Sequence, residues 1–119
     1  MNKIIKALAF VFTVLFAYAA YVQYNDPDAL KWMAIYGTAA FASLLFALDN
    51  LRLLWAIVLT VFYAGLTFYT WPEKFEGVTI GQGDIVNIER GREALGLLIA
   101  AVAMGIYSIG ILLEKKLKI

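Results

Sequence analysis

Residues 30–71 read LKWMAIYGTAAFASLLFAL, then DNLR, then LLWAIVLTVFYAGLTFYTW, so two apolar runs of 19 residues stand four residues apart. A helix rises 1.5 Å per residue and the hydrocarbon layer is roughly 30 Å thick, so about 17 to 25 apolar residues cross it. Each run is long enough, and Asp49-Asn50-Leu51-Arg52 is too short to do anything but reverse the chain. The stretch therefore predicts an antiparallel helix hairpin. Outward from it, Ile4 to Tyr24 forms a third apolar run and Ala94 to Leu113 a fourth. Lys6 lies near the start of the first, where its long side chain can snorkel to the headgroups. The expected fold is an all-α integral membrane protein, one antiparallel four-helix bundle with spans over 4–24, 30–48, 53–71 and 94–113. Met1 to Lys6 and Ala17-Tyr18-Ala19 imitate a cleaved leader, but the apolar stretch exceeds the usual leader core and reads as a span.

Composition supports this class. The chain is 119 residues long, 63% hydrophobic and 16% charged, with a mean hydropathy of +0.78; soluble domains run near half apolar and a quarter charged. A net charge of +1 gives no basic surface for phosphate neutralisation, so no nucleic-acid partner is expected. The chain has no Cys and no His. Disulfides, thiolate or imidazole metal sites and an imidazole base are thereby excluded, leaving carboxylates, Lys, Tyr and hydroxyls for any chemistry. No cofactor is predicted; a hard divalent cation with oxygen ligands is the metal such a set accepts.

Charge sets the orientation, since Lys and Arg favour the cytoplasmic side. With four spans both termini share a side with the Asp49–Arg52 link. That side carries Lys3, Lys6, Arg52, Lys115, Lys116 and Lys118 against Asp49 and Glu114. The other side sets Lys31, Lys74, Arg90 and Arg92 against Asp26, Asp28, Glu73, Glu76, Asp84, Glu89 and Glu93. Both termini are expected in the cytoplasm, with the chain in the plasma (inner) membrane and an acidic rim outside.

Two segments meet at that rim. Gln23-Tyr24-Asn25-Asp26-Pro27-Asp28 separates the first two spans, and Pro72 to Glu89 precedes the last. Val78-Thr79-Ile80 and Ile85-Val86-Asn87-Ile88 are β-prone and flank Gly81-Gln82-Gly83-Asp84, which predicts a small hairpin or lid. Those glycines suit a turn; a single Gly-x-Gly without a following Lys-Ser/Thr is not a phosphate loop. At 100° per residue Glu89, Glu93, Gly96, Ala100, Ala103 and Tyr107 share one face of the last helix, with Leu95, Leu98, Val102, Ile106 and Ile109 opposite. Small residues admit close approach between helices in a bilayer, so the first face is expected inward and the second toward lipid. Gly96, Ala100, Ala101 and Gly105 permit contact within one subunit or between subunits, which leaves the oligomeric state open.

The candidate site is Asn25, Asp26, Asp28, Trp32, Tyr36, Glu89, Arg92 and Glu93. Its plainest reading is structural, with Asp28 capping the second helix, Asp26-Pro27 forming the turn and Asn25 bonding backbone. Carboxylates near a bilayer otherwise need water, a cation or an opposite charge, which Arg90 or Arg92 can supply. A headgroup or small-solute site and a hard-cation site are the two ligand readings. Trp32, Trp55, Trp71, Tyr21, Tyr24 and Tyr69 lie near span ends and read as an interfacial aromatic belt. Tyr36 lies one turn deeper than Trp32, where a phenol seeks a partner such as Asn25, Asp26 or Glu93.

Asn25-Asp26-Pro27-Asp28 with Trp32 and Tyr36, and Arg92-Glu93-Ala94-Leu95-Gly96-Leu97 opening the last helix, resemble the transmembrane protein 220 family. The resemblance covers nearly the whole layout. Ala29 stands where that family often has a second proline. It implies a small multi-pass membrane protein without a known activity or cofactor, in which the first loop and the head of the last helix form one unit.

Three functions compete. A binding or accessory protein would hold a lipid headgroup, small solute or partner segment at the rim. A carboxylate-based membrane enzyme on a lipid-type substrate would need paired acids of separated pKa and lacks a usual nucleophile. A small transporter would need an ionisable group at mid-span, where this chain has hydroxyls such as Thr13, Ser43, Thr60, Thr67 and Ser108 and no acid or base. Binding is the preferred expectation.

Overall fold

In hydrocarbon every backbone N–H and C=O must find its partner inside the segment, and a helix does this for each apolar run alone. The computed structural model describes residues 3–25, 28–71 and 85–117, with side chains at all of these except 25, 85–89 and 115–117. Four helices follow one another: α1 Lys3–Tyr21, continued by a 3₁₀ turn Val22–Asn25, α2 Ala29–Ala47, α3 Leu53–Thr70 and α4 Ile85–Leu117. All four contain a span long and apolar enough to cross a bilayer, as the hydropathy pattern predicts. The first three fall within a few residues of the expected bounds.

α4 starts at Ile85, about one turn before Glu89, the first residue the sequence pattern places on the last helix. Residues 85–88, read as half of a β-hairpin, are helical, and Val78–Ile80, the other half, lie outside the described residues. An isolated hairpin is marginal in water, whereas extending a formed helix adds a hydrogen bond for each residue fixed. At 33 residues and 1.5 Å each, α4 is about 50 Å long and overshoots the hydrocarbon by several turns.

The helices pack as two pairs, α1 along α2 and α3 along α4, and the pairs meet chiefly where α2 faces α4. The apolar surface is turned outward: Val11, Val14 and Leu15 of α1 and Val58, Val61 and Phe62 of α3 are exposed, because lipid tails solvate them as well as a core would. Inside, small and hydroxylated residues surround a few large ones such as Phe46, Leu97 and Met104. On α4, Ala100, Ala103 and Tyr107 are fully buried while Leu98, Val102 and Ile109 are exposed, as expected, but Ile106, expected toward lipid, is half-buried against the core. Leu97, Ala101, Met104, Ser108 and Ile111 are buried as well, so the inward face is wider than one stripe and α4 is the most enclosed span.

Glycines on α4 set two of its contacts. A Cβ at Gly110 would stand 3.3 Å from the Phe46 ring, and that ring stacks on Tyr107 with centroids 4.5 Å apart. The Tyr107 hydroxyl donates to Ser43 at 2.7 Å. Tyr63 of α3 reaches across to α2, its hydroxyl donating to the Ile35 carbonyl at 2.6 Å. The other mid-span hydroxyls bond the carbonyl four residues back, Thr13 to Ala9, Thr60 to Ala56, Thr67 to Tyr63 and Ser108 to Met104. Each is thus satisfied inside the bilayer, and Thr60 and Ser108 also approach within 3.4 Å between α3 and α4.

The link after α2 is closed by hydrogen bonds. Asn50 N–H donates to Leu45 at 2.7 Å and Asp49 N–H to Phe46 at 3.0 Å, the crossed pair of a Schellman ending. Asp49 sits at φ 64, a left-handed conformation that Asp tolerates better than most side chains. Its carboxylate accepts from Lys6 Nζ at 2.6 Å, so the cation that sequence places in the headgroups also ties α1 to the α2–α3 link.

Candidate functional site

The rim end of α2 begins at Asp28, whose carbonyl accepts from Trp32 N–H at 3.2 Å. Asp28 occupies the N-cap position, but its side chain makes no cap hydrogen bond, and the expected capping role is corrected on that observation. Its backbone, at φ −100 and ψ 32, lacks the extended conformation that aims an N-cap carboxylate at the first amides. On the other side of the acidic turn the chain forms a 3₁₀ turn, Val22–Asn25, in which Gln23 folds back to bond the Ala19 carbonyl at 3.2 Å.

One turn into α2, Trp32 is 4% exposed. It is therefore an interior residue and not part of the aromatic belt, in contrast to Trp55, Trp71, Tyr21, Tyr24 and Tyr69, which are exposed near span ends as expected. The reason is local: Trp32 stacks on Tyr36, centroids 6.1 Å apart, and Lys31 carries its ammonium over the indole at 5.2 Å from the ring centroid. Such a cation contact is worth about 0.5–1 kcal/mol when exposed.

Tyr36 meets α4 at Gly96. A Cβ there would collide with the Tyr36 hydroxyl and stand 3.2 Å from Cζ, so glycine is what lets the phenol seat against the α4 backbone. Glu93 lies one turn above Gly96 on the same helix. The structure thus assembles Trp32, Tyr36, Gly96 and Glu93 from the starts of α2 and α4. Arg92 is exposed beside Glu93, and Asp28 is exposed at the head of α2. Asp26 and the side chains of Asn25 and Glu89 lie outside the described residues. Among the described residues, no group of three or more acids is arranged to hold a metal ion.

Two features of this end were not anticipated. Arg90, treated in sequence as a partner for the acidic turn, donates to the Tyr69 carbonyl at 3.0 Å and so ties α4 to the last turn of α3. Below it, an open groove of about 570 Å³ runs between α3 and α4, lined by Ala64, Thr67, Phe68, Trp71 and Leu98. Its signal in the sequence is slight: Ala64-Gly65 and Thr67 are small beside Phe68 and Trp71, and such alternation is common in spans.

No solved structure matches the chain. A family described as "Transmembrane family 220, helix" matches it over residues 15–109, a stretch that holds the acidic turn, the Trp32–Tyr36 stack and the glycine seat on α4. With four membrane-spanning helices and that match over most of its length, the chain belongs to transmembrane family 220.

Proposed function

We propose that this protein is a membrane-embedded binding protein whose extracytoplasmic rim recognises the headgroup of an amine-bearing lipid. The recognition surface is Asn25, Asp26, Asp28, Trp32, Tyr36, Glu89, Arg92 and Glu93. The observation that carries the reading is the Trp32–Tyr36 stack seated on Gly96 with Glu93 one turn above. An aromatic wall beside carboxylates suits an ammonium, which gains from the ring quadrupole and from the acid together. Lys31, held over the indole, is the chain's own ammonium in that place. A headgroup amine would exchange with it.

The test is the thermal stability of detergent-purified protein titrated with phosphatidylethanolamine, phosphatidylcholine and phosphatidylglycerol. Phosphatidylethanolamine is expected to raise the melting temperature most. Glu93→Gln should reduce that shift and Lys31→Met should enlarge it by removing the internal competitor. Equal shifts from all three lipids, or a response unaltered in both variants, would defeat the proposal. A carboxylate enzyme is disfavoured by the lack of a usual nucleophile, and a transporter by mid-span hydroxyls that are taken up by their own helices.

A further inference from the structure

The groove between α3 and α4 and the arginine above it form a second, separate lipid site, and we infer that it holds a phospholipid with an anionic headgroup, phosphate at Arg90 and one acyl chain in the groove. The placement of charge and apolar surface supports this occupant. Ala64 and Phe68 lie on the last two turns of α3 and Trp71 caps its end, all within about 10 Å of that end at 1.5 Å per residue. Arg90 binds the carbonyl of Tyr69, the residue between Phe68 and Trp71, so its guanidinium is fixed at the head of the groove. That hydrogen bond uses one of five guanidinium donors, and the fork geometry of the others matches phosphate oxygens. A fixed cation at the interface with an apolar trough directly below it follows the order of a phospholipid, headgroup first and chain beneath.

The apolar part is continuous with the lipid-facing surface. Phe68 is 88% exposed, and Trp71 and Leu98 are partly exposed, so a chain enters sideways from the bilayer without passing a polar barrier. Thr67, the one hydroxyl in the lining, is turned to the Tyr63 carbonyl at 2.8 Å and presents no unmatched polar group to a chain. Trp71 at the rim has the amphipathic ring that favours the headgroup level. Arg90 also offsets the partial negative charge of the α3 carbonyl end, which would otherwise repel a phosphate.

Native mass spectrometry of the full chain, released from micelles containing phosphatidylglycerol or phosphatidylcholine, reads this site directly. Wild type should retain phosphatidylglycerol with about fivefold to tenfold preference, the scale of one interfacial arginine on an anionic headgroup. Arg90→Gln should abolish the preference, and Leu98→Trp, which fills the groove, should lower retention of both lipids. Glycerol phosphate, the headgroup chemistry without chains, should not be retained. Asp49→Asn, at the opposite end of the bundle, should leave the preference intact. Wild-type protein also needs no variant for a second check: phosphatidylglycerol brominated on its acyl chain should quench tryptophan fluorescence more than the phosphatidylcholine equivalent. Equal retention of the two lipids by wild type, an unchanged preference in folded Arg90→Gln, or equal quenching would overturn the inference.

Discussion

Gly96→Ala tests the contact on which the rim is built. The added Cβ would collide with the Tyr36 hydroxyl and come within 3.2 Å of Cζ. The tyrosine cannot swing aside freely, because it is 9% exposed and stacked on Trp32. Overpacking of this kind costs about 1–3 kcal/mol. Against it stands the helix preference of Ala over Gly, about 1 kcal/mol. The net sign of the single variant is thus set by a difference of two similar terms, and a control is needed to separate them. Gly65→Ala provides it, since a Cβ at Gly65 meets nothing within 4 Å and only the helix preference acts. Unfolding in mixed micelles with increasing dodecyl sulfate, followed by circular dichroism, should place Gly96→Ala about 1–3 kcal/mol below Gly65→Ala. Tyr36→Phe removes the colliding oxygen, so combining it with Gly96→Ala should restore part of the loss and give a coupling energy of about 1–2 kcal/mol. If the two glycine variants shift stability alike, or if the Tyr36 and Gly96 changes add independently, then Tyr36 does not seat on Gly96 and the rim is not assembled as described.

Other outcomes follow from single contacts. Tyr107→Phe should cost about 0.6 kcal/mol, and at most about 1.7, the range for hydrogen bonds between membrane helices, because the Phe46 stack survives; Tyr107→Ala should cost about 3–5 kcal/mol, and equal losses in the same unfolding assay would contradict the division. Asp49→Asn keeps a side chain that tolerates φ 64 and removes only the ion pair with Lys6, whose side chains are 29% and 50% exposed; the loss should stay below about 1 kcal/mol and shrink further as salt is raised. A fluorescent reporter fused after Ile119 should be fluorescent and a periplasmic phosphatase fused there inactive, the result expected for cytoplasmic termini; the reverse pattern would refute the charge-based orientation.

The number and position of the spans were legible because hydrophobic length is a one-dimensional property and the bilayer thickness supplies its scale. The start of α4 was not, because residues 85–88 lie beyond the hydrocarbon, where neither length nor hydropathy constrains them and short β-prone windows are easily overridden by an adjoining helix. The pairing of α1 with α2 and α3 with α4 was equally hidden. Lipid tails are as apolar as Leu, so no hydrophobic difference tells a helix which neighbour to choose. Shape decides instead, and shape depends on which large side chain faces which small one. Gly96 was legible as small, but the Tyr36 hydroxyl against it was not. The groove is lined from two helices, which no single residue encodes.

The two ends of the bundle are held by different means, and this bears on where function resides. At the Lys6 end, an ion pair and a Schellman ending close the α2 to α3 link within one short stretch. Toward the rim end, the two helix pairs are joined by Tyr36 seated against Gly96 and by Tyr63 bonded to the Ile35 carbonyl, while Arg90 joins α3 to α4 within one pair. The starts of α2 and α4 belong to different pairs, so a molecule that touches both bridges an interface less extensive than that within either pair. A ligand that binds only the folded state stabilises it by mass action, and the rim is where such a ligand would add an inter-pair contact the chain supplies sparingly. If the proposed rim ligand acts through α2 and α4 together, the response of bundle stability to Glu93 and Lys31 variants reads that action.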